Sequence, residues 1–419
     1  MKRSIWISLC FFVAYITPLL YSQTINWVQT NRFPGGRVRC MVVNSSGHIF
    51  AGVYGGGNSG VYCSTDNGTS WSQVGLQKRY VNALAVNSSG YIFAGTDTSI
   101  FFNLCGGIRR STDNGKTWEL VGLTSTGPVY TFAINKGSGH LFAGTYPAGG
   151  VYRSVNNSRT WELVGLSYTD GVYALAINSN GHIFAGTDFY GVCRSTDNGT
   201  EWTQLLGYGT ILSLAINSNG YIFAGSEGGS IYRSVDNGET WTRVITLTNN
   251  AILAWAINGG GRIFAGARGG GVYCSTDNGT SWSQIGLQNK TVNTLAINSN
   301  GYLFAGTDSN GVFKSTGPIT AINRNPTFLI PVEYVLTLNY PNPFNPSTTI
   351  EFQLPQRSVV NLTVYNMIGQ KVETLVDEVR EAGYHRVVWN AGVLPSGIYL
   401  CRLETSSGFR AVRKMLLVK

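Results

Sequence analysis

The stretch Leu175–Leu206 reads LAINSNGHIFAGTDFYGVCRSTDNGTEWTQLL. An alternating apolar run leads into the turn Asn178-Ser179-Asn180-Gly181. A second run, Ile183-Phe184-Ala185-Gly186, ends in a variable loop. A third run then reaches the box Ser195-Thr196-Asp197-Asn198-Gly199-Thr200-Glu201-Trp202. Short runs separated by turn residues predict four antiparallel strands. The Phe of the second run returns at Phe50, Phe93, Phe142, Phe184, Phe223, Phe264 and Phe304, a period of about 40 residues. One four-stranded unit per period predicts an all-β chain built as a seven-bladed β-propeller.

The box Trp recurs at Trp71, Trp118, Trp161, Trp202, Trp241 and Trp282, and the last unit breaks off at Ser315-Thr316-Gly317-Pro318. Ile25-Asn26-Trp27-Val28 reads as the missing fourth strand. Clasped into the last blade, it would close the ring and remove two exposed sheet edges. The tight hairpin of the box needs a residue that tolerates positive φ, supplied by Gly68, Gly115, Gly199, Gly238 and Gly279. The structural Asp of each box (Asp66, Asp113, Asp197, Asp236, Asp277) is expected to accept N–H groups within the turn. The Trp is expected to bury its ring against the neighbouring sheet. In the third copy Asn156 and Ser158 stand where the others carry Asp and Gly, and a looser turn is expected there. These motifs resemble the Asp-box (BNR) β-propellers, a group that includes sialidases, sortilin-type receptors and xyloglucan-cleaving enzymes. The resemblance covers roughly residues 25–316 and implies that the box is scaffold, on the face away from the usual site.

Ahead of the repeats, Lys2-Arg3 and the apolar run Ile5–Leu20 read as a signal peptide, residues 1–22, with the propeller at 23–316. No later run is long and apolar enough to span as a helix, so no transmembrane helix is expected in the mature chain. The net charge of +9 is spread thinly, with few basic pairs such as Arg109-Arg110, which argues against a nucleic-acid partner. The seven Cys show no C-x-x-C spacing, so neither a zinc site nor a disulfide framework is expected, though a Cys40–Cys63 bridge stays open. Cys63 and Cys274 share a slot that holds Arg or Lys in other blades. His48, His140 and His182 share one turn position on separate blades and read as solvated residues. No cofactor or metal is expected.

Residues 317–332 lack the repeat and read as a linker. From Glu333 new punctuators appear: Leu338-Asn339-Tyr340-Pro341-Asn342-Pro343-Phe344-Asn345-Pro346, Val364-Tyr365-Asn366-Met367-Ile368-Gly369-Gln370, Gly383-Tyr384-His385 to Trp389-Asn390, and Lys414–Lys419. They predict a small C-terminal β-sandwich over 333–419, with His385 and Trp389 as core and turn residues. In this order the motifs closely resemble the type A sorting domain of the type IX secretion system. The resemblance implies Sec export in a Gram-negative bacterium, then passage across the outer membrane with the type IX machinery as partner. Release or attachment at the cell surface would follow.

One face of the ring carries the repetitive turns, so function is expected on the other, where loops vary from copy to copy. The residue two beyond each Ala-Gly forms a ring of ligand-binding candidates: Tyr54, Asp97, Tyr146, Asp188, Glu227, Arg268 and Asp308. Phe189, Tyr190, Tyr80, Tyr168, Arg37 and Arg79 lie nearby, and the longest loop adds Phe101, Phe102 and Asn103. Aromatic faces and carboxylates around a mouth suit a sugar. The leading expectation is a non-catalytic binding module for a glycan or a surface protein. The alternative is a glycoside hydrolase, sialidase-like or xyloglucanase-like, with Asp188 and Glu227 as a carboxylate pair roughly 5–10 Å apart. Against it, the Arg triad and Arg-Ile-Pro motif of sialidases are missing, and there is no nucleophile elbow. A structural or adhesion role is the third reading.

Overall fold

The computed structural model describes residues 25–31, 33–97, 106–124, 126–147, 150–167, 171–207, 209–247, 250–319, 333–337 and 339–418. The leader, the loop residues Phe101, Phe102, Asn103 and Cys105, Tyr168, and most of the linker lie outside them. The chain divides into two compact units, one ending at Ile322 and one beginning at Asn323.

Among the described residues the first unit contains seven four-stranded antiparallel sheets. Six are continuous in sequence. Blade one comprises Arg37–Val43, Ile49–Tyr54, Gly60–Ser64 and Ser72–Gly75, and blade six ends with Ser283–Gly286. The seventh joins Val292–Ile297, Leu303–Thr307 and Val312–Ser315 to the N-terminal strand Trp27–Gln29, in register Trp27 to Ser315. The inner strands touch one another in order, and Val292–Ile297 returns to Arg37–Val43, so the ring closes.

The second strand of each blade is buried because both of its faces meet neighbours. Its Phe residues are 0–1% exposed, and each buried ring contributes about 1.5–3 kcal/mol. Phe304 of blade seven lies under the box of blade one, where a Cβ on Gly68 would fall 2.5 Å from its ring. The box Gly therefore meets two demands, a φ of 79° and a neighbour's aromatic ring. The box Asn is left-handed as well, at φ 56–63° in its six copies, which makes the tip a type I′ turn. The box Trp covers the last strand of the preceding blade. A Cβ on Gly75 would stand 2.5 Å from Trp118 Nε1, and Gly286 meets Trp27 in the same way.

Blade three departs from expectation. Asn157 and Ser158 adopt the same left-handed pair, at φ 56° and 69°. Ser154 Oγ accepts the Ser158 amide at 2.9 Å, and Asn156 Oδ1 accepts the Thr160 amide at 3.0 Å. The turn is not looser, because a carboxamide oxygen accepts these bonds as a carboxylate does, and the buried Ser158 absorbs the strain.

Polar latches join adjacent blades. A third-strand Arg donates to a box carbonyl on the next blade: Arg110 to Asn157 O at 2.6 Å, Arg153 to Asn198 O at 3.1 Å, Arg194 to Asn237 O at 2.8 Å and Arg233 to Asn278 O at 2.9 Å. Lys314 donates to Asn67 O at 2.8 Å, latching blade seven to blade one. First-turn Asn side chains meet box Asn side chains, as Asn178 to Asn237 at 2.7 Å and Asn298 to Asn67. Cys63 and Cys274 occupy the latch slot in blades one and six. The described cysteines Cys40, Cys63, Cys193, Cys274 and Cys401 are free thiols, so the Cys40–Cys63 bridge is not formed. Gly317–Ile319, read as the start of the linker, instead docks on the ring. Ile319 is 6% exposed, donates to Gly301 O at 2.6 Å and accepts from Asn258 Nδ2 at 2.9 Å.

The second unit packs a three-stranded sheet (Val335–Leu336, Ser347–Leu354, Gly383–Asn390) and a four-stranded sheet (Lys371–Arg380, Ser358–Asn366, Gly397–Thr405, Arg410–Leu417) around one core. Trp389, 1% exposed, lies between Phe344 and Tyr399 at 5.4 and 5.6 Å. His385 stacks on Phe352 at 5.1 Å. The Pro-rich segment stitches the last strand: Phe344 N donates to Leu416 O at 2.9 Å, and Asn342 Oδ1 accepts the Leu416 amide at 2.8 Å.

Candidate ligand-binding mouth

Each inner strand carries a buried Val or Ile at its first residue, or in blade one at its second (Val38), and then slips register by one residue. The extra residues are Arg39, Asn82, Tyr130, Tyr173, Leu212, Leu253 and Asn293. Such bulges re-aim side chains and recur beside functional sites. The ring read from the sequence is fixed beside them by backbone bonds to the link entering the same blade. Asp97 N donates to Tyr80 O, Asp188 N to Gly171 O, Glu227 N to Thr210 O and Arg268 N to Ala251 O, at 2.8–3.0 Å.

Residues of both rings meet in one cluster. The Arg39 guanidinium lies 5.6 Å from the Tyr54 ring and 5.8 Å from the Tyr130 ring. Tyr54 packs on Tyr80 at 4.7 Å. Tyr130, Tyr146 and Tyr173 contact one another at 5.6–5.8 Å. Burial first, then the charge of Asp188, and further on that of Glu227, pushes the Tyr173 phenol up. Burial and Asp97 raise Tyr54, with Arg39 opposing. Tyr80, which accepts the Asp97 amide, packs on Tyr54, and a Cβ on Gly171, which accepts the Asp188 amide, would meet the Tyr146 ring. Asp188 Oδ1 also accepts the Thr210 hydroxyl at 2.7 Å.

The other candidates stand apart from this cluster or are exposed. Asp308 is bound by Arg37 Nε at 2.7 Å and Asn293 Nδ2 at 3.0 Å. Arg268 is exposed, Phe189 is 58% exposed at φ 65°, and Tyr190 is half-buried against the core of blade four. The Arg79 amide donates to Leu76 O at 3.0 Å and closes a turn. Arg39, Asn82, Tyr130 and Tyr173 escaped the sequence reading. Their signal was a column that holds Arg, Asn, Tyr or Leu between flanks that stay apolar or small. Asn82 is 5% exposed, and among the described residues neither its Nδ2 nor its Oδ1 has a hydrogen-bond partner. A buried amide left so costs about 1–3 kcal/mol.

The box carboxylates belong to the scaffold. The Thr117 hydroxyl and amide, helped by Ser111, hold Asp113 down to about 2. Toward the other ends of the inner strands lies an open pocket of about 340 Å³ whose lining residues include Met41, Val43, Val86, Trp255, Leu295 and Ile297. Among the described residues no His, Cys, Asp or Glu cluster is placed to hold a metal ion, and no helix is long and apolar enough to cross a membrane.

Residues 339–419 match the family model of the secretion system C-terminal sorting domain. The tail is a secretion sorting domain. It directs the protein to the cell surface or the extracellular space by type IX secretion. Residues 208–349, which run from the ring into the start of the second unit, match the DUF6242 β-propeller domain, and residues 109–120 in the ring match the BNR/Asp-box repeat. No curated protein matches the sequence. Solved structures share the fold at low identity. The extracellular domain of BT4673 from B. thetaiotaomicron is 16% identical with a TM-score of 0.57, over 78% of this chain and 44% of that one. YCF48 bound to D1 peptide is 16% identical with a TM-score of 0.56, over 72% and 98%. The GH74 xyloglucanase from Xanthomonas campestris is 15% identical with a TM-score of 0.57, over 78% and 59%. The chain therefore spans less than two thirds of the BT4673 domain and of the xyloglucanase.

Proposed function

We propose that the propeller is a non-catalytic binding module whose ligand, a glycan or a segment of a surface protein, seats on the loop-face mouth. The observation that carries this reading is the tyrosine cluster Tyr54, Tyr80, Tyr130, Tyr146 and Tyr173, assembled from blades one to four beside Arg39, Asp97, Asp188 and Glu227. Aromatic rings give contact area at little entropic cost, and charges around them fix orientation. Fold neighbours that act on xyloglucan or are bound to a peptide indicate that this architecture can seat either polymer.

The test incubates the secreted full-length protein with polysaccharides, sialoglycans and surface-protein peptides, assaying retention and released sugar together. Retention without release, weakened at least tenfold by Tyr146→Ala, is the expected result. Sugar release that disappears in Asp188→Asn or Glu227→Gln would replace the binding module with the hydrolase. Indifference to every ligand would leave the structural role.

A further inference from the structure

The two ends of the sorting unit differ in character. At one end Asn366 is paired with Tyr399, and the Tyr399 hydroxyl donates to Pro395 O at 2.8 Å. The Phe344 amide donates to Leu416 O at 2.9 Å, Phe344 O accepts the Val418 amide at 3.0 Å, and the Ala391 amide donates to Pro346 O at 2.9 Å. The turns 366–370 and 391–396, the Pro-rich segment and the end of the last strand therefore meet there. Met367, Ile368, Val393 and Val418 project from this end, 61, 77, 96 and 47% exposed. The loops of the far end present Gln356, Arg357, Glu381, Ser406 and Ser407, all exposed. The ion pairs found among the described residues of the unit, Arg357–Glu381, Arg380–Glu378, Arg402–Glu404 and Arg410–Glu404, lie toward that far end.

The turn itself has no need of apolar side chains. Asn366 N donates to Gln370 O at 3.0 Å, Gly369 N donates to Asn366 O at 3.0 Å, and Asn366 Oδ1 accepts the Gln370 amide at 2.9 Å. The same bonds close the first turn of six propeller blades, as in Asn44-Ser45-Ser46-Gly47-His48 at 3.0, 3.0 and 2.9 Å. In those six the two tip positions hold Ser, Asn or Gly. At the far end of the sorting unit the backbone bonds recur in Thr405-Ser406-Ser407-Gly408-Phe409, around two serines. Met367 and Ile368 thus answer a demand other than the fold, and burial against a partner is what exposed apolar tips gain from. We propose that this end docks on a protein component of the type IX machinery, with Met367 and Ile368 entering an apolar cleft and Val393 packing at its edge. Lys371 adjoins the turn, and Lys414 O accepts Asn342 Nδ2 at 3.1 Å. Both lysines are exposed, and among the described residues neither takes part in an ion pair. Glu373, two residues beyond Lys371, is held by the Trp389 indole N–H at 2.9 Å. Two lysines against one carboxylate leave positive charge around the apolar tips, which fits a cleft with carboxylates on its rim. The inference concerns the second unit and is independent of what the propeller binds.

The test expresses the full chain in a Gram-negative host that has type IX secretion. It compares surface-labelled and released protein with protein retained in the periplasm. Met367→Ser/Ile368→Ser is expected to lower export by about tenfold or more, with an unfolding temperature near the parent's. Met367→Leu/Ile368→Val, which keeps the tips apolar, is expected to export as the parent does. Lys371→Glu/Lys414→Glu is expected to lower export as well. The control is Val359→Ser/Val379→Ser, a directly paired couple at the far end, each 48% exposed, and it is expected to export normally. Parent-level export of the serine tip variant overturns the inference, and so does an equal loss in the far-end control. Vesicles of anionic phospholipid supply the remaining arm. Binding of the full chain to them that the serine tip variant loses would assign this end to a lipid surface and overturn the protein partner.

Discussion

Ser158 carries a cost that its counterparts avoid. A left-handed L-residue is strained by about 1–2 kcal/mol, and the box glycines escape that strain. Ser158→Gly is expected to stabilise the protein by about 0.5–1 kcal/mol, since the lost Ser158 Oγ bond to Asn157 O offsets part of the gain. A higher denaturant midpoint at unchanged slope checks it. The box Asp residues contribute stability that is lost in acid. Asp113 is held down to about 2 by the Thr117 hydroxyl and amide, and Asp197 is lowered by the Glu201 amide. Their folded pKa lies below that of the unfolded chain, so this stabilisation is complete above about pH 4. It drains away as the pH falls toward 2. Asp113→Asn, the solution blade three already uses at Asn156, is expected to flatten the loss of stability between pH 4 and 2, read from urea unfolding across that range.

At the scale of the blade, cohesion depends on what each strand offers its neighbour. Arg194 donates to Asn237 O and to Glu239 Oε1 at 2.6 Å on the next blade. Arg194→Ala is expected to cost about 1 kcal/mol, since a part-buried carbonyl loses its donor. Cys63 holds the same slot beside the box of blade two. Cys63→Arg is expected to restore a latch there and raise stability by about 0.5–1.5 kcal/mol, measured as a shift in thermal midpoint. No change would mean that the Asn114 carbonyl is already satisfied.

At the scale of the molecule, the ring stands or opens with its clasp. Trp27 covers Gly286 as the box Trp rings cover their own neighbours, and its strand supplies the outer edge of blade seven. Trp27 is half-buried against the core of blades six and seven, so Trp27→Ala is expected to cost about 2–3 kcal/mol, below the value for a fully buried aromatic, with loss of cooperativity in calorimetry. Delivery belongs to the other unit. Deleting residues 339–419 is expected to keep the protein inside the cell envelope and off the surface, checked by fractionation and surface labelling.

The architecture was legible in the sequence because each blade is a local unit. Alternation, the Asn-x-x-Gly turn and the box are set by neighbours a few residues away, and repetition made the signal hard to miss. Even the clasp could be read, from a Trp without a box. The sorting tail was legible for a similar reason: its turn motifs come in a fixed order. The sequence also showed that Tyr54, Asp97, Tyr146, Asp188 and Glu227 share one column of the repeat. What it could not show was which members meet. A one-residue bulge turns Arg39, Tyr130 and Tyr173 toward the mouth, and register is a property of strand pairing. The pairing of Arg37 with Asp308 and the latch from Lys314 to Asn67 join residues far apart in the chain. Only closure of the ring brings those groups within bonding distance, so tertiary structure alone decided which of these distant charges neutralise each other.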